Sequence, residues 1–111
     1  MQLDLPVEAP VLELYAGDDF EVTYTLEGPD GLFDFEPFDL ACQWRGGGNV
    51  EDVPVTSPAL GTLRLKGSGT LSRAMLDGGA LDIEGVRSDG VTITFVRAEV
   101  SCTNDVTRRI A

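Results

Sequence analysis

The chain has 111 residues, with eight Lys and Arg against nineteen Asp and Glu for a formal net charge of −11, no histidine, two cysteines and an apolar share of 42%. A chain of that length forms one domain and buries roughly two-thirds of the surface that its unfolded form exposes, so it needs no metal or disulfide staple. The charge repels nucleic-acid phosphates and anionic membranes, the missing histidine removes Ser-His-Asp and Cys-His catalysis, and no apolar run approaches the ~18 residues of a membrane-spanning helix.

The first ten residues, MQLDLPVEAP, hold Leu3, Leu5 and Val7 between Pro6 and Pro10. Proline cannot donate to a strand ladder, so residues 1–10 read as an extended arm that lies on a neighbour, or as an edge strand. The same stretch lacks a basic segment followed by an apolar core, and no secretion signal is read there. Residues 11–15 form a short first strand. Residues 20–27 then alternate without a fault: Phe20, Val22, Tyr24 and Leu26 fall on one face, and Glu21, Thr23, Thr25 and Glu27 on the other. Side chains alternate across a strand, so this is the pattern of a half-buried β-strand. Gly17-Asp18-Asp19 before it and Gly28-Pro29-Asp30-Gly31 after it supply turn chemistry.

The run LFDFEPFDL reads as an irregular connection on the core rim, because Pro37 forbids a central strand. Residues 40–45 are a strand with Leu40, Cys42 and Trp44 on one face, and the single Trp44 is read as a core anchor. Gly46 to Asn49 is a turn that lacks the Lys and Ser/Thr of a phosphate loop. Residues 53–56 and 62–66 are strands. Thr70 is the expected N-cap of a short helix over 71–76, with Leu71, Ala74 and Met75 toward the core and Gly78-Gly79 as its stop. Residues 79–87 are a strand, Ser88-Asp89-Gly90 a hairpin turn, and residues 91–102 a long last strand. Its apolar positions switch from odd (Val91, Ile93, Phe95) to even (Val96, Ala98, Val100, Cys102), which a β-bulge produces and which burial on both faces near the strand centre would also give.

About seven short strands and one helical turn predict an all-β, immunoglobulin-like antiparallel sandwich. Residues 11–106 are the sandwich domain and 107–111 an exposed tail. The Cys…Trp…Cys spacing of antibody domains is absent, because Cys42 and Trp44 lie on one strand. The cysteines read as small buried apolar residues; a Cys42–Cys102 bridge is the less favoured alternative, since nothing implies an oxidising compartment.

The charge is uneven. Residues 1–52 hold thirteen acidic residues against Arg45 alone, and residues 53–111 hold six against seven basic ones. Cys42 as a nucleophile needs a basic neighbour, and only Arg45 is near. Paired carboxylates can run glycoside hydrolysis, yet the acids cluster in loops of a small chain, and the reading is non-enzymatic. Asp30, Asp34, Glu36 and Asp39 are candidate calcium ligands, since a hard cation wants oxygen, although they lack EF-hand spacing. No cofactor is expected.

Several segments together resemble a known family. They are AGDDFEVTYTLEGPDG, FDLACQWR, SGTLSRAMLDGGALDIEGV and SDGVTITFVRAEVSCTNDVTR. The chain resembles the small immunoglobulin-like domains of tailed-phage structural proteins, found at the N-terminus of baseplate upper proteins and in tail-fibre modules. The family's G-D-[DST]-F turn is matched by Gly17, Asp18, Asp19 and Phe20, and its D-L strand entry by Asp39 and Leu40. Leu76, Gly78, Gly79 and Asp82 match the later leucine, glycines and aspartate, and Asp105 to Arg108 match the closing dVTR. The resemblance implies a bacteriophage virion structural protein, made in the host cytoplasm without a signal peptide. It would dock on the tail, baseplate or fibre base, or decorate the major capsid protein, as part of a multi-copy assembly. In baseplate proteins a long fibrous region follows this domain, and here the sequence ends at residue 111. The docking candidates are Leu3, Leu5 and Val7. A carbohydrate- or calcium-dependent adhesive module is the alternative, with Tyr15 or Phe38 as the aromatic platform.

Overall fold

The computed structural model describes residues 5–104. Within them the strands, in chain order, are β1 (Val7–Glu8), β2 (Leu12–Ala16), β3 (Phe20–Thr25), β4 (Glu27–Gly28), β5 (Gly31–Leu32), β6 (Phe38–Gly46), β7 (Asn49–Val53), β8 (Val55–Thr56), β9 (Thr62–Gly67), β10 (Gly79–Arg87) and β11 (Thr92–Asn104). One short helix, α1 (Gly69–Ala74), lies between β9 and β10.

The strands make a β-sandwich. The larger sheet runs β1–β11–β10–β6–β7, with β2 sharing the β11 edge beside β1, and the smaller runs β3–β9–β8. A two-strand ladder of β4 and β5 closes one end. The two sheets face each other over one core, the all-β sandwich that the strand pattern predicts. The ladders are antiparallel except those of β1 and β2, which both run parallel to β11. Trp44, Leu81, Ile83, Phe95, Val96 and Ala98 from the larger sheet meet Leu63 and Leu65 from the smaller, and all are buried. Each of the Leu, Ile, Val and Phe side chains contributes roughly 1.5–3 kcal/mol by leaving water, and that burial joins the sheets.

Two breaks in the strand pattern have simple causes. Pro54 separates β7 from β8. The chain there leaves the larger sheet, where β7 pairs β6, and enters the smaller, where β8 pairs β9. The second break is the parity switch of the last strand. Ile83 pairs Val96 but Glu84 pairs Thr94, so Phe95 is an extra residue in β11. The bulge allows the adjacent Phe95 and Val96 both to be buried, which a regular strand with one wet face does not permit.

Phe95 is the centre of an aromatic cluster. Its ring centroid lies 5.3 Å from Phe33, 5.0 Å from Phe35 and 5.1 Å from Phe38, in edge-on geometry. The irregular stretch before β6 therefore covers one end of the core, and Phe35 within it is buried. Gly85 makes room for this cluster: a Cβ there would stand 2.7 Å from Phe95 and 2.8 Å from Phe38.

The helix differs from expectation. Its N-cap is Ser68, in extended conformation, and the Ser68 hydroxyl accepts from the Leu71 N–H at 3.3 Å. Thr70 lies inside the helix. The cap falls two residues earlier because Gly69 packs against the Gly17 backbone and gives its N–H to Asp19 Oδ1 at 2.8 Å. Met75 is buried and Leu71 half-buried as expected, but Ala74 is exposed and Ser72 is fully buried instead. Gly46 to Asn49 is also more than a turn. Only Gly47 and Gly48 turn, both at positive φ, and Asn49 already begins β7.

Candidate functional site

Alternation decides where the candidate calcium ligands go. Phe38 and Leu40 face inward on β6, so Asp39 between them is exposed on the outer face. Asp30 sits in the β4–β5 turn. Only Asp34 and Glu36 share a site, an open groove of about 560 Å³ lined also by Phe35, Phe38, Leu40 and Leu60. There the Asp34 carboxylate accepts from the Glu36 N–H at 2.9 Å, a local turn bond. Among the described residues no three His, Cys, Asp or Glu gather in a way that could hold a metal ion.

The N-terminal candidates are part of the domain. Val7 pairs Val96, Glu8 pairs Arg97, and the Ala9 N–H donates to the Arg97 carbonyl at 2.8 Å. Leu5 and Val7 pack half-buried on the domain's own core. Leu3, the 107–111 tail and the Asp105 to Arg108 match lie outside the described residues. Of the two aromatic platforms, Tyr15 is exposed on β2, whereas Phe38 spends one side on the aromatic cluster.

The cysteines are free thiols. Burial, with the Asp82 charge as a smaller cause, pushes the Cys42 thiol up to about 12. Burial also raises that of Cys102. A thiol held protonated is a poor nucleophile, so the chemistry that Cys42 offers is packing. Trp44 beside it on β6 is fully buried and donates Nε1–H to the Gly78 carbonyl at 3.0 Å, the core-anchor role.

Sequence reasoning missed Ser72. Its hydroxyl donates to the Asp18 carbonyl at 2.7 Å and accepts from the Gly17 N–H at 3.0 Å, while its own carbonyl accepts from Cys102 Sγ at 3.2 Å. Ser72 thus ties the turn that leads into β3 to the helix and to β11. A serine in a short helix gives no periodic signal, so only the fold reveals this link.

The sheet with the most strands presents one continuous outer face. Register places Asp52, Gln43, Asp82, Arg97 and Glu8 in one row across β7, β6, β10, β11 and β1. Gln43 Nε2 donates to Asp52 at 3.3 Å, and Arg97 stands 3.8 Å from Asp82. Asp39, Glu84, Glu99 and Glu13 extend the acidic character above and below the row. Among the described residues Arg45 is the other cation on this face. The outward side chains of the smaller sheet are different: Glu21, Thr23 and Thr25 on β3 beside Thr62, Arg64 and Lys66 on β9. Arg64 Nε lies 3.1 Å from Glu21 Oε1. The two atoms are close enough for charge pairing but not aligned as a hydrogen bond.

The chain matches no protein-family model and no curated protein. Function therefore rests on the geometry and on the residues that carry the resemblance.

Proposed function

We propose that this chain is a non-enzymatic structural module of a tailed-phage virion, a rigid sandwich that docks on a larger particle at the tail, baseplate or fibre base, or on the capsid surface. The observation that carries the reading is the acidic outer face of the larger sheet. It spans six strands, is backed by a packed core, and its carboxylates outnumber its guanidiniums seven to two among the described residues. Such a field favours a basic partner surface, sets the docking orientation and speeds encounter. The fold is the one that the resemblance implies, and the G-D-D-F motif of that resemblance has a physical task. Gly17 takes φ +95°, and Asp19 caps Gly69 of the helix.

Gold-labelled antibody on particles from the source culture tests the proposal. Label over heads assigns capsid decoration, and label at the tail or its tip assigns the baseplate or fibre base. Intact and opened particles that both stay unlabelled overturn it. A triple neutralisation, Asp82→Asn with Glu84→Gln and Glu99→Gln, is expected to weaken rebinding to stripped particles, and added salt to weaken it for the unaltered chain.

One observation favours the adhesive reading as the second choice. Phe38 lines a groove rimmed by Asp34 and Glu36, the pairing of an aromatic face with carboxylates that sugars use. Glycan binding abolished by Glu36→Gln would move the assignment to that class.

A further inference from the structure

We propose that the β3 edge of the smaller sheet is a homotypic docking strand, and that two copies of this chain join there as an antiparallel pair. The inference goes beyond the virion reading and does not depend on it. Unpaired edges invite strand addition, and folded proteins blunt them with prolines, charges or brevity. Three of the edges here are blunted. β1 is two residues long and lies between Pro6 and Pro10. β8 is two residues long and lies between Pro54 and Pro58. β7 carries Glu51 and Asp52, and β2 carries Glu13. β3 has six residues, no proline and one charge, Glu21, which Arg64 pairs. Among the described residues its ladder is with β9 alone.

The direction of the free groups follows from one bond. Lys66 donates its N–H to the Pro54 carbonyl at 3.2 Å. Backbone groups alternate along a strand, so Arg64 and Lys66 point toward β8 and Leu63, Leu65 and Gly67 toward β3. Their partners Tyr24, Val22 and Phe20 point back to β9, as does Leu26, whose N–H donates to the Gly61 carbonyl at 2.7 Å. Glu21, Thr23 and Thr25 therefore aim their N–H and C=O groups out of the open edge.

These three residues are self-complementary. A two-fold axis at Thr23 opposes Thr23 to Thr23, Glu21 to Thr25 and Val22 to Tyr24 of the second copy, so every outward donor and acceptor finds a partner and no like charges stand opposite. The even residues stay on the core side, where Phe20, Val22 and Tyr24 are only half-buried and gain cover from the new strand. Charge selects the occupant. Two chains of net charge −11 repel each other through the carboxylates of the larger sheet, whereas the smaller sheet's Glu21, Arg64 and Lys66 nearly balance.

Sedimentation of the full chain in reductant, over a range of concentrations and at low and high salt, tests the proposal. The expected result is a monomer–dimer equilibrium that salt strengthens by screening the residual repulsion. Thr23→Pro removes an outward N–H without touching the β9 ladder, a position where edge strands tolerate proline. It is expected to weaken association about tenfold or more. Amide exchange gives a readout that needs no variant: Glu21, Thr23 and Thr25 should exchange more slowly as concentration rises. A chain that stays monomeric throughout overturns the proposal. So does a dimer in which those amides stay fast, and so does a chain that dimerises only after removal of residues 105–111, which would make the tail the occupant.

Discussion

On the larger sheet the outward positions carry Asp39, Asp52, Asp82, Glu84 and Glu99 beside Arg45 and Arg97, and on the smaller they carry threonines with a Glu21–Arg64 pair and Lys66. Both sheets close on the same core, yet one face repels a copy of itself and the other tolerates one. The edges differ in the same sense. The larger sheet ends in β1 and β2 on one side and acidic β7 on the other, while among the described residues the smaller leaves β3 open. Surface charge and edge protection are thus distributed by sheet, and the two proposals give each sheet a different neighbour: a basic surface for the larger, a second copy for the smaller.

The comparison breaks most severely if the shared core fails. Phe95→Ala removes the ring on which Phe33, Phe35 and Phe38 converge. The expected cost is about 3–5 kcal/mol, measured as a lower midpoint in urea unfolding. Ser72→Ala is next. It leaves the part-buried Gly17 N–H and Asp18 carbonyl without their partner, at an expected cost of about 1 kcal/mol. Because that link sets the entry into β3, faster amide exchange should appear first at Gly17 and along β3, with β6 and β10 little changed. Uniformly faster exchange would show that the two sheets do not loosen separately.

A pH titration probes the buried thiol of the larger sheet. The Cys42 thiol on β6 is raised from an ordinary 9.0 to about 12 by burial. Between those values the unfolded chain has lost a proton that the folded one keeps, so unfolding gains and stability falls as pH rises through this window. Stability is unaffected by Cys42 below about pH 9. Cys42→Ala should flatten the alkaline part of the stability curve, and an equally steep curve would remove Cys42 as its cause. The smallest effect is expected from the outer face. Asp82→Asn should alter stability by about 0.5 kcal/mol or less, while weakening attraction to a basic surface at low salt. A large loss of stability would mean that the acidic row holds the sheet together instead of serving a partner.

The longer strands are legible in the local pattern, whereas the two-residue strands β1, β4 and β5, the strand β7 and the pairing register are not. The alternation in residues 20–27 places Phe20, Val22 and Tyr24 on the inner side, and the parity switch at Phe95 and Val96 marks the bulge, because a period of two is a local property of the backbone. Turn positions such as Gly90, at φ +89°, are legible for the same reason. Tertiary structure decided what depends on partners distant in sequence. It decided that Pro54 hands the chain from one sheet to the other, that Ser72 closes a bond to the Gly17 turn, and that Asp39 and Asp34 end on different faces. It also decided that acidic residues of the first half join those of the second on one sheet face, since β6 from the first half pairs with β10, and β1 and β2 pair with β11. A charge is written in sequence order, but the surface that presents it is assembled by long-range pairing.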